Sequence, residues 1–401
     1  MKLAMRALVL ATLLLPVLPA ARADVVTDWN ATALSLTLAS PPQIEMRTLA
    51  LTHVAMFDAV NAVTGTYQAY MQPAPKAPAG ASAEAAAATA AHTVLLSIYP
   101  LQRPALDAAL QASLAKLPDG AGKNDGASFG RQVAEQCIIM RASDGWNGRV
   151  AYTPATGPGS WQPAPPSMGG FASVFWAEAK PFFLKSATEV TAPGPLPVGS
   201  AQYAKELDEV RRLGARNSTE RTADQTAAAI FTMLNGGQVW NAAARAAAAA
   251  KGTSMPDNAR IFAIINMAAF DAVVAGWEVK RRMGSWRPLT AIRAAATNPD
   301  PKWEPLINTP PHPDYVSGHS VTSGAWSRSL QLLFGSDGVP FSATFANGLT
   351  RQFTSFSQAA TEIENARIWA GIHTRTADEH GTALGRQVAE LAVQRAMKKI
   401  E

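Results

Sequence analysis

The chain has 401 residues, 48% of them hydrophobic, which is enough to bury a large core or two domains. Its formal net charge of +5 at pH 7 is modest and is not gathered into basic runs. This distribution argues against nucleic-acid binding and makes small anions the more natural ligands. The only cysteine, Cys137, excludes an intramolecular disulfide, so stability must come from packing.

Residues 1–23 have the pattern of an export signal. Two basic residues precede an apolar run, 7–18, and Ala21-Arg22-Ala23 is a small-x-small cleavage site. A transmembrane anchor is the alternative, but the apolar run is too short for the hydrocarbon core of a bilayer. We expect a mature chain that begins after Ala23, is periplasmic or secreted, and contains no membrane span.

Alanine-rich stretches with helical spacing dominate the mature chain. They occupy residues 83–96, 224–234 and 242–250, whereas alternating strand patterns are scarce. We therefore predict an all-α protein.

Several sequence landmarks occur twice in the same order, which predicts a duplicated helical unit. The repeated pieces are an Arg-to-Val segment with Phe-Asp-Ala-Val at its end (47–60 and 260–273), a serine that opens an apolar helix (Ser82 and Ser317), and Gly-Arg-Gln-Val-Ala-Glu (130–135 and 385–390). The first copy lacks the glycine and histidine that follow Ser317. It is therefore interpreted as a structural partner of a second copy that carries the chemistry.

The repeats divide the mature chain into three parts. We predict an N-terminal helical bundle at 24–150, an irregular connection rich in Pro, Gly and aromatic residues at 151–220, and a C-terminal bundle at 221–401. Within the connection, Trp161 and Trp176 are more typical of packing anchors than of substrate platforms.

The triplet Ser317-Gly318-His319 follows a proline-rich approach and precedes an apolar run, 321–334. Prolines cannot extend a helix and serine favours the N-cap, so the triplet is predicted to lie at a helix N-terminus. There, free backbone N–H groups and the helix dipole favour an oxyanion. Gly318 permits close approach, and His319 can move protons near neutral pH. Alone, the triplet is more often an ordinary capped loop.

Basic side chains flank this triplet on both sides. Lys280 and Arg287 are seven residues apart, about two helical turns, which predicts that they project from one helix face. Without paired carboxylates they repel each other unless an anion lies between them, although a basic surface is the alternative. Downstream, Arg367 precedes His373, and Asp378 follows it.

A divalent-metal site is a second interpretation of the histidines. Its ligands would be His312, His319, His373 and Asp378. The cations at positions 280, 287 and 367 would have to share that pocket, which favours an anionic ligand instead.

Three motifs together resemble the signature of the type 2 phosphatidic acid phosphatase and vanadium-dependent haloperoxidase superfamily. They are Lys280 with Arg287-Pro288, Ser317-Gly318-His319, and Arg367 with His373. The tryptophans at 277 and 286 and the Pro-x-Pro-x-Tyr pattern at 311–315 resemble the haloperoxidase branch. The lipid phosphatases of this superfamily span membranes.

This resemblance implies duplicated helical bundles like those of vanadium chloroperoxidase. It also implies a vanadate cofactor, whose site phosphate can also occupy, and no haem or zinc. The implied cofactor-binding residues are Lys280, Arg287, Ser317, Gly318, His319, Arg367 and His373. His373 would bind vanadium or act as the nucleophile of a phosphatase, His319 would be the acid–base group, and Lys280 would complete the catalytic set. His312 and Trp277 are candidates for the halide site, and Asp378 is the candidate to orient His373.

The implied reaction is oxidation of a halide by hydrogen peroxide to a hypohalous-acid equivalent, which halogenates a small organic acceptor. His312 occupies a position that is Phe in the fungal chloroperoxidase and His in algal bromoperoxidases, which favours bromide or iodide. A soluble periplasmic acid phosphatase with a phosphohistidine at His373 is the alternative, and a non-catalytic binding protein is the third. A homodimer is compatible with the resemblance.

Three positions depart from the family pattern. Val316 replaces the usual proline, Ala366 replaces the usual serine, and four residues rather than three separate His373 from Asp378.

Overall fold

The computed structural model describes residues 24–233, 236–345 and 348–400, so the predicted export signal lies outside the described residues. The α-helices are α1 (Val25–Thr37), α2 (Pro42–Thr64), α3 (Ala83–Ile98), α4 (Arg103–Leu114), α5 (Ala121–Met140), α6 (Ala201–Leu213), α7 (Ala223–Phe231), α8 (Gly236–Lys251), α9 (Met255–Met283), α10 (Pro288–Arg293), α11 (Gly318–Phe334), α12 (Phe356–Trp369) and α13 (Arg375–Arg395). Short 3-10 helices occupy Pro100–Gln102 and Val174–Glu178. The strands β1 (Phe341–Thr344) and β2 (Thr350–Phe353) form one antiparallel pair, with Phe341 opposite Phe353. The prediction of an all-α protein is confirmed.

Two sets of three helices pack in the same way. In the first half α2, α3 and α5 contact one another, and in the second half α9, α11 and α13 do the same. Ser82 is the N-cap of α3 as Ser317 is the N-cap of α11. The central helices α2 and α9 pack against each other, and one continuous core contains both Phe57 and Phe270. The two helical units therefore share a core.

The repeated Phe-Asp-Ala-Val motif has a structural role in both halves. The buried Asp58 carboxylate accepts the amide N–H groups of Tyr70 (2.8 Å) and Met71 (2.9 Å). Its counterpart Asp271 accepts those of residues 182–184 at 2.6–2.9 Å. Burial raises the pKa of both carboxyls to about 6. Each aspartate binds an irregular segment to a central helix, so the repeated motif has a structural rather than a chemical role.

A further repeat, missed in the sequence interpretation, joins the two units at their centre. Trp-Asn-Ala occurs in α1, where it includes Asn30, and in α8, where it includes Asn241. The Nδ2 of Asn30 donates to Oδ1 of Asn241 (2.8 Å), and Asn241 exchanges hydrogen bonds with Asn266 of α9. His53 of α2, which corresponds in position to Asn266, lies 2.9 Å from Asn30. Buried asparagine and histidine side chains thus form hydrogen bonds with one another across the contact between the two units.

The glycine of the Gly-Arg-Gln-Val-Ala-Glu hexapeptide explains why this sequence occurs in both halves of the chain. A Cβ at Gly130 would lie 2.2 Å from the Ala86 carbonyl oxygen, and one at Gly385 would lie 1.9 Å from the Val321 carbonyl oxygen. Both glycines therefore let two helices, α3 and α5 or α11 and α13, approach to backbone contact. Only a residue without a side chain fits there.

We expect Gly385→Ala to destabilise the protein by about 2 kcal/mol, because the added methyl group must push α13 away from α11. The loss should appear even though alanine favours a helix over glycine by about 1 kcal/mol. Thermal unfolding measures it. Gly338→Ala is the control, because no heavy atom lies within 4 Å of the added Cβ. An unchanged melting temperature in the Gly385 variant would contradict the close helix contact.

Glu45 predicts a pH-dependent stability. It is fully buried in α2, and its carboxyl accepts the Gly237 amide at 3.2 Å. Burial raises the pKa of Glu45 to about 8. Between pH 4.5 and 8 the folded state then holds a proton that the unfolded state has released, so stability falls as pH rises. In the parent, this group lowers the free energy of unfolding by roughly 1.4 kcal/mol per pH unit over that range. We expect Glu45→Gln to remove this dependence, as measured by denaturant unfolding at pH 5 and pH 8. If the free energy of unfolding changes equally between pH 5 and pH 8 in the variant and the parent, Glu45 is ionised in the folded state and the prediction is wrong.

Helix α9 is long and apolar enough to cross a membrane. However, 94% of its most apolar window is buried inside the protein. Its position against α2, α11 and α13 makes it a central core helix, which explains its hydropathy.

The connection between the two units is irregular only in part. Trp161 and Trp176 are buried in it, and Trp176 packs edge-on against Phe270 at 5.2 Å between ring centroids. Residues 201–213, which were expected to be irregular, form the regular helix α6. The helix predicted at 224–234 ends earlier, at Phe231, and position 234 lies outside the described residues.

Candidate active site

Lys280 and Arg287 come together through a chain reversal. Lys280 lies in the last turn of α9, which ends at Gly284 in the left-handed conformation (φ 52°), and Arg287 is the N-cap of α10. The prediction that they share one helix face is therefore wrong, because the helix stops between them. Both side chains are fully buried, at 0% and 1% exposure.

Backbone carbonyls hold these two cations in place. The Lys280 ammonium donates to the carbonyl oxygens of residues 313 and 314, at 2.6 and 3.0 Å, which leaves one of its three N–H groups for a ligand. Arg287 donates from Nε to the His312 carbonyl (2.6 Å) and from Nη1 to the Ile372 carbonyl (2.6 Å). Arg287 thereby fixes the two other motif segments to each other.

The predicted helix N-terminus is present, with Ser317 as the N-cap of α11. Its hydroxyl makes no capping bond and is buried without a hydrogen bond of ordinary geometry among the described residues, although it is close enough to Asp378 to act against the rise in the pKa of that carboxyl. The amides of Gly318 and His319 lie in the first helical turn, where no intrahelical acceptor exists. A Cβ at Gly318 would lie 3.2 Å from the Trp277 ring, so the glycine allows that ring to lie against the helix start.

Arg367, in the last turn of α12, completes the set of buried cations. Its Nη1 donates to both the carbonyl (3.0 Å) and the hydroxyl (2.9 Å) oxygen of Thr232, while its buried Nε has no partner among the described residues. Thr232 follows α7 and was not anticipated, because nothing in its neighbourhood resembles a motif.

His373 is held by a carboxylate. Its Nδ1 lies 2.5 Å from Oδ1 of Asp314, whose Oδ2 accepts the Thr374 hydroxyl at 2.9 Å. An ionised carboxylate can only accept, so the proton is on Nδ1 and Nε2 keeps its lone pair. That Nε2 lies 3.1 Å from Nη1 of Arg287. His373 therefore presents a preoriented ligand or nucleophile toward the cations.

Asp378, the sequence candidate to orient His373, makes a different contact. Its Oδ1 accepts the Ser320 hydroxyl of α11 at 2.7 Å. The extra residue after His373 accounts for this, because one residue rotates a side chain by about 100° around α13. Asp314 does the orienting instead. The sequence offered one signal for this role, namely that Asp314 is the carboxylate within the Pro-x-Pro-x-Tyr pattern.

The two buried carboxylates change the expected charge balance of the pocket. Burial, together with Arg287, holds the pKa of Lys280 well below its usual range, and burial lowers the pKa of Arg287 and Arg367 to about 10. Burial raises the pKa of Asp314 to about 6 and that of Asp378 well above its usual range. The cations are thus partly paired, yet one positive charge remains in excess when all five groups are ionised.

His312 and Trp277, the candidates for the halide site, adjoin the same pocket. Their rings contact each other with centroids 5.2 Å apart, and the Nδ1 of His312 lies 3.0 Å from Nη2 of Arg287. Burial lowers the pKa of His312 and His319 well below the usual value, with added repulsion from Lys280 at His312 and from Arg367 at His319. Both imidazoles are therefore neutral at pH 7.

The donors of the pocket fit a tetrahedral oxyanion such as vanadate or phosphate. The groups left for a ligand are the Ser317 hydroxyl, the Arg367 Nε, one Lys280 N–H, the first-turn amides of α11 and the His373 Nε2. Buried cations cost less when an anion pairs with them. No cluster of three or more His, Cys, Asp or Glu side chains among the described residues could hold a metal ion, so the zinc or iron alternative gains no support there.

Comparison with known proteins finds similarity to one family. The VCPO second helical-bundle domain matches residues 260–401, which include all three motifs. Vanadium chloroperoxidase of Curvularia inaequalis is 24% identical over 388 residues, covering 74% of this chain and 63% of that protein. The chain thus spans less than two thirds of the length of this curated relative.

Solved structures give the same result over most of the chain. The first bacterial vanadium-dependent iodoperoxidase is 27% identical with a TM-score of 0.80, covering 94% of this chain and 96% of that one. A holo-type bacterial vanadium-dependent chloroperoxidase is 19% identical with a TM-score of 0.75, covering 94% and 98%, and shares the fold. Together with the motifs in their pocket, these matches support the resemblance of the chain to the vanadium haloperoxidases, which are enzymes.

Proposed function

We propose that this protein is a vanadate-dependent haloperoxidase that uses hydrogen peroxide to oxidise bromide or iodide. The observation that carries the proposal is the His373 Nε2 lone pair, fixed by Asp314 and directed toward buried cations. Bound vanadate would supply the Lewis-acid centre at which peroxide is activated toward the halide.

Different residues of this chain would bind the vanadate through different interactions. His373 would provide a nitrogen ligand. Lys280, Arg287 and Arg367 would neutralise the negative oxygens, and the Arg367 Nε has no partner among the described residues. The Ser317 hydroxyl and the first amides of α11 add hydrogen bonds from fixed positions, which costs no reorganisation on binding.

His319 is proposed to move the proton. Oxidation of a halide by peroxide to hypohalous acid consumes one proton and releases water, so a group that accepts and returns a proton is required. A neutral imidazole at the start of α11 can take a proton from peroxide on a ring nitrogen and return it to the departing oxygen.

The halide preference rests on the surroundings of Arg287. The His312 imidazole, rather than an apolar ring, lies between Trp277 and the Arg287 guanidinium. The solved relative at 27% identity is an iodoperoxidase, which is consistent with a large, easily oxidised halide here. We propose bromide or iodide as substrate and a small organic molecule as acceptor, in an exported protein as the pattern of residues 1–23 suggests.

A soluble acid phosphatase is the second candidate. An imidazole whose Nδ1 is bonded to a carboxylate is also a competent nucleophile toward phosphorus, and the same cations would stabilise the transferring group.

One experiment separates the candidates. The purified mature protein is assayed before and after incubation with orthovanadate, for bromination and iodination with hydrogen peroxide and for hydrolysis of an aryl phosphate. Vanadate-dependent halogenation supports the proposal, whereas phosphate release that vanadate suppresses supports the phosphatase. If neither halogenation nor phosphate release is detected, both candidate activities are contradicted and a binding role is favoured.

A further inference from the structure

We propose that helix α6, which lies in the connection between the two helical units, positions the anion-binding residues, chiefly through Glu206 and Glu209. This inference deepens the proposed function and rests on it only in that His373 must bind the anion. Neither glutamate belongs to a motif of the sequence analysis, and neither contacts the anion pocket directly. They act through the loop that carries His373.

Glu206 caps the helix that follows His373. Its carboxylate accepts the Thr376 amide (2.9 Å) and the Thr376 hydroxyl (2.7 Å), in the first turn of α13. The N-cap residue of α13, Thr374, makes no capping bond, because its hydroxyl donates to Asp314 instead. The first turn of a helix has amides without intrahelical acceptors. Glu206 therefore supplies the cap that frees Thr374 to hold the carboxylate that orients His373.

Glu209, one turn further along α6, binds the first turn of α13 a second time, directly after the loop (residues 370–374) that carries His373. Its two carboxylate oxygens accept Nη2 (2.6 Å) and Nε (3.0 Å) of Arg375. This two-point geometry fixes direction as well as distance. At the end of α6, a Cβ on Gly214 would lie 2.5 Å from the Gly371 Cα, so the loop also touches the α6 terminus backbone to backbone. The His373 loop is thus held before and after the histidine.

The same helix contacts the neighbours of two other anion-binding residues. The Tyr203 hydroxyl accepts the indole N–H of Trp286 at 2.5 Å, and Trp286 directly precedes Arg287. Leu207 of α6 belongs to one apolar cluster with Ile368, which directly follows Arg367. One helix therefore braces the segments that carry Arg287, Arg367 and His373.

These contacts affect anion binding because the anion-binding residues lie on segments that are far apart in the sequence and come together only in the folded protein. Binding of a small oxyanion requires all of them within a few tenths of an ångström, and a shift of about 1 Å in one ligand is costly. Loss of a group that orients a metal-binding histidine typically weakens metal affinity or activity about 10–100-fold.

The test compares Glu206→Ala with its conservative partner Glu206→Gln and with Asp208→Ala. Asp208 lies on the same helix but pairs with Arg212 at the exposed surface (2.9 Å), away from the His373 loop. Calorimetric titration with orthovanadate, and separately with inorganic phosphate, gives the affinity without any turnover. We expect Glu206→Ala to weaken binding of both anions by at least about ten-fold.

The two other variants show whether the effect comes from the Thr376 contact. Glu206→Gln should recover most of the affinity, because the amide oxygen still accepts the Thr376 N–H, and Asp208→Ala should bind as the parent does. In the assay, the vanadate concentration for half-maximal rate should rise in Glu206→Ala while the KM for peroxide stays within about two-fold, as expected for a positioning effect.

Parent-like affinity in a folded Glu206→Ala protein would overturn the inference, and so would an equal loss in Asp208→Ala. If Glu206→Ala does not fold, Glu209→Ala takes its place, because its pair with Arg375 is partly exposed. Parent-like anion affinity in that variant would overturn the inference equally. If the parent protein itself binds neither anion, the proposed function fails first, which the parent titration shows before any variant is compared.

Discussion

Replacement of His373 by alanine is expected to remove vanadate-dependent halogenation almost completely. The variant loses the nitrogen that Asp314 orients toward the buried cations with its lone pair available. We expect kcat/KM to fall by at least about 10³-fold, equivalent to about 4 kcal/mol of transition-state stabilisation. Steady-state halogenation with added orthovanadate measures the change, and calorimetric titration should show weaker anion binding in parallel.

His92→Ala is the matched control for this experiment. That histidine pairs with Asp107 in the N-terminal unit and has no contact with the motif residues. It should retain the parental rate. Turnover close to the parental rate in His373→Ala, with the protein folded, would rule out the assignment of the site for either the haloperoxidase or the phosphatase.

Asp314→Asn is expected to have the second largest effect, with a loss of about 10–100-fold in vanadate affinity and in kcat/KM. An asparagine at this position can turn its amide N–H toward His373, which allows the ring proton to move to Nε2 and blocks the lone pair. The Asp314 carboxylate also pairs electrostatically with Arg287 and Lys280. Its loss leaves both cations less compensated, which favours an anion and offsets part of the effect of the lost His373 lone pair.

Asp378→Asn provides the comparison that separates the two carboxylates. Asp378 bonds to Ser320 rather than to His373, so its replacement should leave the His373 tautomer unchanged and cost much less activity. Vanadate titration and steady-state rates of both variants measure the difference. A larger loss in the Asp378 variant than in the Asp314 variant would show that Asp378 orients the histidine.

Interactions that extend along the chain were accessible from the sequence. Helical spacing over long alanine-rich stretches decides the all-α class, because burial of one face of a helix depends on local periodicity. The N-cap position of Ser317 follows from its proline-rich approach, and α11 begins directly after it. The duplicated unit was visible because glycines that permit helix contact and aspartates that anchor loops must recur at equal spacing.

Interactions between distant segments were not accessible in this way. Lys280 and Arg287 were assigned to one helix face, but Gly284 in a left-handed conformation ends α9 between them. Thr232 and Glu206 carry no motif, and they matter only because folding brings them to Arg367 and to the start of α13. A hydrogen-bond partner far away in the chain leaves no periodic pattern in the sequence.

By itself the sequence determined the fold class and the repeat, and it singled out the residues that we propose to bind the anion, because those follow from local propensity and from charged motifs in a set order. Only the tertiary structure decided that Asp314 rather than Asp378 orients His373, and that α6 braces the loop. The reason is geometric: a side chain's direction depends on where its helix begins and on what packs against it. One inserted residue rotates that direction by about 100° without changing the residue types.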